Sequence, residues 1–401
     1  MTIVVIGELI NQGGGSVRNE ELLKRFKSKI DFIFIPSIRW NIYPALVNLN
    51  YCRRLKEKIF ELNLNIPDFI LKLLEERKKY SVLNLINFIS QRFGNVELAY
   101  SQAEIIEDLL LLSKLKSKHK GFIIQGFWFQ HDIIKDFKFE RSANPDLSVA
   151  TVLINTIKRS LLRNIYFHYI IKRITFINTI NPMNPEYTIL TRKKNILKNV
   201  IFPGNAVTVP IIDSSKKEDY FIYAARLSPP KGFLLLPFIW KEVVKKEKVK
   251  LLITADRNTN DRNVIRLTKL IKKFNLDKYI EFIGYLNKEN YYPKISKSKG
   301  VIIPSLGDSY SMAILEALSL KTVYIGLKLP TLEYLYKDIE PVFLEENVNG
   351  IAQRILRILN MKEEEYNSMF DNEKVREFLK LHQSWDLVAK LELDTFLKLI
   401  K

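Results

Sequence analysis

Short apolar runs alternate along this chain with stretches whose apolar residues recur every three or four positions. In the first half, 3–6, 31–36, 121–125 and 174–178 read as strands, bounded by turn residues. Amphipathic helices are expected over 19–29, 103–115 and 156–172. The second half alternates more cleanly, with strands expected at 220–225, 249–254, 280–283, 300–303, 322–326 and 341–344 and helices between them. Strands that alternate with helices of ten or more residues argue for parallel βαβ units, so the expected class is α/β. The tail, 363–401, reads as helical, and Leu387, Leu391, Phe396 and Leu399 mark a packed face.

A chain of 401 residues suits two domains, each with its own core. At 47% hydrophobic and 27% charged, its composition is that of an ordinary globular protein. No uninterrupted apolar run reaches the ~20 residues that span a bilayer. The opening Met1-Thr2-Ile3-Val4-Val5-Ile6-Gly7 lacks a basic leader and is expected to be a first strand rather than a signal peptide. One cysteine, Cys52, excludes an intrachain disulfide and fits a reducing cytosol. His119, His131, His168 and His382 make no zinc spacing, so no metal is expected. The net charge is +19, and residues 1–200 carry +13 of it, with 31 Lys/Arg against 18 Asp/Glu. Anionic partners are one reading of that excess, among them a membrane surface or a phosphate-bearing acceptor; a compositional bias toward lysine is the other. No nucleic-acid-binding motif accompanies the charge.

Chemistry concentrates in two segments of the second half. In Pro304-Ser305-Leu306-Gly307-Asp308-Ser309-Tyr310-Ser311-Met312-Ala313-Ile314-Leu315-Glu316-Ala317, a buried strand ends at a proline and a polar loop enters a helix. Open α/β sheets bind ligands beyond the carboxyl ends of their strands, where Asp308 would sit. Glu316 follows eight residues later, about 80° past two full helical turns. Upstream, Arg226 and Lys231 of Ala225-Arg226-Leu227-Ser228-Pro229-Pro230-Lys231-Gly232 bracket another strand-to-helix turn, an arrangement suited to a diphosphate. Acid pair and basic pair together suit a nucleotide-sugar. Each residue has a structural alternative: solvated turn cations, an ion pair for Glu316, a helix N-cap for Asp308. In the first half, Gly13-Gly14-Gly15-Ser16 opens a helix, a phosphate site or a plain glycine turn. His131 follows a strand and precedes Asp132.

These segments resemble the retaining glycosyltransferases of family 4. Arg226, Leu227, Lys231 and Gly232 match the family's Arg-Leu-x-x-x-Lys-Gly, while Pro304, Ser305, Asp308, Tyr310, Glu316 and Ala317 match its Pro-Ser-x-x-Glu-Gly-Phe-Gly followed by Glu-Ala. Phe282-Ile283-Gly284 and the tail Ser384-Trp385-Asp386-Leu387-Val388-Ala389 are similar to two further family segments, in the same order. The chain departs from the pattern at Asp308, where the family has glutamate, and at Ser309 and Ser311, where it has glycines. It departs again at Thr254-Ala255-Asp256-Arg257, in place of a glycine-rich turn, and at Leu320-Lys321-Thr322, in place of Gly-x-Pro.

The resemblance implies the GT-B fold, two Rossmann-like α/β domains facing each other across a cleft. It implies an acceptor domain at 1–205, a nucleotide-sugar domain at 206–372, and a helical segment at 373–401 that crosses back to the first domain. By the same resemblance Arg226 and Lys231 take the donor diphosphate, and Glu316 the ribose hydroxyls. Asp308 takes a sugar hydroxyl, and His131 lines the reactive end of the sugar. Gly14 and Gly15 approach the phosphates, Gly284, Tyr285 and Leu286 contact the base, and Ser309, Tyr310 and Ser311 complete the loop. The implied activity is retaining, metal-independent hexosyl transfer from a nucleoside-diphosphate sugar to a glycan or lipid-linked acceptor, with no cofactor. The implied location is cytoplasmic, at or away from a membrane surface. A catalytically weak scaffold that binds polyanions, and a GT-B nucleotide-sugar epimerase, stay open as rivals.

Overall fold

The computed structural model describes residues 2–10, 14–39, 49–76, 80–126, 132–193, 195–212, 216–257, 259 and 261–400. The chain forms two compact units. The first gathers Met1–His131, Lys158–Asn205 and Trp385–Lys401; the second gathers Asp132–Ile157 and Ala206–Ser384.

The first unit is built on a parallel sheet of six strands: β1 (Ile3–Gly7), β2 (Ile33–Pro36), β3 (Val96–Ser101), β4 (Ser117–Ile124), β5 (Phe176–Thr179) and β6 (Leu197–Val200). Their order across the sheet is β2-β1-β3-β4-β5-β6. The interior strand β1 is buried along its whole length, as a strand covered on both faces must be. Two strands, β3 and β6, have no counterpart in the sequence expectations. In β3 the apolar run is interrupted by Glu97, and β6 (Leu-Lys-Asn-Val) is an edge strand whose burial is only partial, so neither shows a clear hydrophobic pattern. The helix expected over 156–172 starts earlier, at Val149; it is an α-helix to Ile165 and continues as a π turn (Tyr166–Ile170) and a 3-10 turn (Ile171–Arg173). Ser148 sets that start, its hydroxyl accepting the amide of Thr151 at 3.2 Å.

The second unit holds β7 (Glu218–Tyr223), β8 (Lys250–Ile253), β9 (Ile280–Phe282), β10 (Ser298–Ile303), β11 (Tyr324–Leu327) and β12 (Val342–Glu345). This sheet is also parallel, in the order β12-β11-β10-β7-β8-β9. The chain winds outward from β7 in one direction, then starts again at β10 on the other side, so the winding reverses between β7 and β10. Open α/β sheets bind ligands beyond the carboxyl ends of the strands at such a reversal point.

The expected helical tail is three helices, Glu363–Ser368, Glu373–Leu381 and Trp385–Ile400, the second opening at Asn372, whose side chain accepts the amide of Lys374. Only the third belongs to the first unit. There it packs on the helix Gly14–Phe26, with Phe396 edge-on to Tyr100 at 4.7 Å and to Phe26 at 5.7 Å. A buried polar network pins it: Arg18 pairs with Glu392, both side chains fully buried, and donates from Nε to the Gly204 carbonyl at 2.8 Å. The Tyr100 hydroxyl donates to Glu392 at 2.8 Å, and Asn178 links Tyr100 to Thr395. A fully buried carboxylate is tolerated because its charge and lone pairs are met in this way.

Candidate functional site

Strand β7 feeds the segment 224–232 and strand β10 feeds 304–311, so the winding reversal brings together the two segments singled out in the sequence. Their backbones are knitted. The amides of Leu306 and Gly307 both donate to the Pro230 carbonyl, at 2.8 and 3.3 Å. Gly232 has φ +69°, and a Cβ there would lie 1.8 Å from the Pro304 carbonyl oxygen. Only glycine meets both demands, a left-handed backbone and this close approach. Beneath the segments, buried Tyr223 donates to the Arg226 carbonyl at 2.9 Å and buried Tyr324 to the Ile303 carbonyl at 3.0 Å.

Lys231 reaches across the junction to Asp308, with Nζ 2.5 Å from Oδ2. Oδ2 also accepts from the Ser305 hydroxyl at 3.4 Å, while Oδ1 accepts from the amides of Ser309 and Ser311 at 3.0 and 3.2 Å. Asp308 therefore braces the loop that leads into the helix Met312–Ser319, and its own carbonyl accepts from Thr331. The shorter aspartate side chain suits this work, since its oxygens fall within reach of amides one and three residues ahead. Ser311, where the resembled family has glycine, takes φ +53° and ψ +87°. A left-handed serine carries backbone strain, and here it is buried at the entry to the helix Met312–Ser319.

Tyr310 points inward. It is buried, its hydroxyl lies 2.5 Å from His382 Nε2, and its carbonyl accepts from Tyr336. His382 Nδ1 faces the Phe378 carbonyl at 2.7 Å, which makes Nδ1 the protonated nitrogen and Nε2 the acceptor of the Tyr310 proton. Burial pulls His382 down to about 4, so the ring is neutral near pH 7.

Glu316 is held by two phenols from the helix Lys288–Lys297. Tyr291 donates to Oε2 at 3.2 Å and Tyr292 to Oε1 at 3.5 Å. Burial raises the Glu316 carboxyl, against the lowering effect of the tyrosine hydrogen bonds and of Lys288. Arg226 is exposed in the β7 loop. At the end of β9, Gly284 has φ +78° with open space where a Cβ would lie, Tyr285 is 61% exposed, and Leu286 is half-buried. Because the strands are parallel, all these loops leave the same edge of the sheet. In the first unit, Gly14 and Gly15 are exposed at the start of the helix Gly14–Phe26. His131 lies outside the described residues. No group of three metal-binding side chains occurs among the described residues.

Sequence reasoning missed Tyr291, Tyr292, Thr331 and His382. The adjacent tyrosines at one helix start carried a signal, but nothing in their spacing from Glu316 reveals the contact. His382 lies 72 residues from Tyr310 and is joined to it only by the fold.

Residues 218–361 match a family model described as glycosyl transferases group 1. That span contains both halves of the junction. No curated protein matches the chain. Among solved structures, a sucrose-phosphate synthase from Thermosynechococcus elongatus superposes with a TM-score of 0.67 at 14% identity, covering 100% of this chain and 99% of its own. A glycosyltransferase from Rickettsia africae ESF-5 gives 0.64 at 14% identity, covering 100% and 98%. Anabaena HepE in complex with UDP gives 0.64 at 12% identity, covering 99% and 100%. With two parallel α/β sheets and these full-length superpositions, the chain has the GT-B fold.

Proposed function

We propose that the chain is a retaining, metal-independent glycosyltransferase of family 4, moving a sugar from a nucleoside-diphosphate donor to a hydroxyl of a glycan or lipid-linked acceptor. The observation that carries this reading is the knitted junction of β7 and β10, which presents Lys231 at a topological switch point inside the matched span. Solved relatives of the same fold are described with UDP and with UDP-glucose, which supports the donor class.

In this reading Lys231, pre-placed by Asp308, offers its remaining ammonium protons to the leaving diphosphate, and exposed Arg226 adds a second cation. Fixed cations aimed where charge develops stabilise the transition state without reorganising during the step. Asp308 acts by positioning, since hydrogen-bond donors from Lys231, Ser305, Ser309 and Ser311 already engage its oxygens. Ser309, Tyr310 and Ser311 supply the loop between, with Tyr310 anchoring it to His382. Glu316 accepts from the ribose hydroxyls in place of the tyrosine phenols, and Gly284, Tyr285 and Leu286 flank the base. Gly14 and Gly15 offer exposed backbone amides to phosphate. His131 keeps its proposed role at the reactive end of the sugar.

Glu316→Gln tests the assignment. Losing a charge-assisted hydrogen bond costs about 1.5–3 kcal/mol, so affinity for a nucleoside diphosphate should drop by roughly 10- to 100-fold. Unchanged affinity by calorimetry, with the fold intact, would remove Glu316 from the ribose site.

A further inference from the structure

The helix Val149–Ile165 turns its apolar side to solvent. Val149, Leu153, Ile154, Ile157, Leu161 and Ile165 are each more than 40% exposed, and Val149 and Leu161 reach 60%. At 3.6 residues per turn these positions share one arc of about 160°. The opposite side holds buried Val152 and Thr156, with Arg159 and Arg163 half-buried. A surface helix ordinarily does the reverse, burying its apolar stripe. A contiguous exposed aliphatic face of this size marks a surface that something covers.

Charge decides what covers it. Between Asp146 and Glu186 the chain has no acidic residue, while 149–173 contains five Lys/Arg. Lys158 lies at the rim of the apolar arc and is exposed; just past the helix come exposed His168, Lys172 and Arg173, with the Arg173 guanidinium 3.9 Å from the Tyr169 ring centroid. No helix among the described residues is long and apolar enough to cross a bilayer. A second copy of the chain would set this cationic rim against its own kind, which is unfavourable at an isologous contact. An anionic bilayer meets both requirements, aliphatic depth under the face and negative charge at its rim.

We infer that the helix Val149–Ile165 lies in the plane of an anionic lipid surface, with its aliphatic face in the acyl boundary and Lys158, Lys172 and Arg173 at headgroup level. This rests on exposure and charge alone and is independent of the sugar-transfer proposal. The full chain should co-sediment with phosphatidylcholine vesicles containing phosphatidylglycerol roughly 100-fold more strongly than with phosphatidylcholine alone, and the preference should weaken in high salt. Leu153→Asp with Ile157→Asp should abolish binding; both sites are exposed, and unchanged thermal unfolding and circular dichroism would verify the fold. Lys172→Glu with Arg173→Glu should remove the preference for anionic vesicles while leaving the aliphatic face intact. Equal recovery with both vesicle types overturns the inference, as does binding indifferent to the variants. So does a concentration-dependent dimer that the Leu153/Ile157 variant dissolves while wild type ignores vesicles.

Discussion

Single residues at this site do structural work that their chemistry alone does not announce. Asp308 stands where the resembled family has a longer acid, and it serves as both loop brace and anchor for Lys231. Ser311 holds a left-handed backbone without being glycine. His382 is the hidden partner, buried and neutral, accepting the proton of Tyr310. Its folded value, about 4 against an ordinary 6.5, fixes the sign of a pH effect. Between those values the unfolded chain binds a proton that the folded chain does not, so stability rises with pH across that window. Lowering the pH from 6.5 toward 4 should therefore cost up to about 3 kcal/mol from this residue. Urea denaturation across that range should show the loss, and His382→Gln should flatten it; an identical slope in the variant would mean that other groups carry it.

At the scale of elements, the strand ends and loops of the second unit were legible in the sequence. Runs such as Val301-Ile302-Ile303 are short, wholly apolar and bounded by Pro304, and the structure has β10 ending at Ile303. What was not legible were elements whose burial is set by neighbours. Strand β6 owes its place to pairing with β5, and the extent of the helix Val149–Ile165 was hidden because its apolar residues face outward. The contact of Tyr291 and Tyr292 with Glu316 likewise depends on how the helix Lys288–Lys297 packs. The junction itself yields a prediction at this scale. Gly232→Ala would force a Cβ to 1.8 Å from the Pro304 carbonyl at a backbone angle that alanine resists, so the two loops must separate. We expect about 3 kcal/mol or more of destabilisation, measured by guanidinium denaturation. A stable Gly232→Ala variant would show that the junction tolerates opening.

Across the whole molecule, the chain leaves the first unit and returns to it with its last helix, and the return is secured by a buried ion pair within an aromatic cluster. Removing one partner leaves the other charged and unmet, so Glu392→Ala should destabilise the first unit by about 3–5 kcal/mol. Thermal unfolding that is unchanged in the variant would show that the pair does not hold the helix. A return of the tail was implied only by the family resemblance around Trp385, and its fastening to Arg18 had no sequence signal, because an arginine on the first helix reads as surface charge. In the other unit, Lys231, paired with Asp308, is the cation proposed to hold the donor diphosphate. Calorimetric titration with a panel of nucleosides and their diphosphates tests it directly, on the wild type and on Lys231→Ala. At least one diphosphate should bind wild type about 10-fold or more tighter than its nucleoside, from one charge-assisted contact or more, and Lys231→Ala should erase that difference. Equal binding of nucleoside and diphosphate to wild type, or a difference that survives Lys231→Ala, would contradict the account.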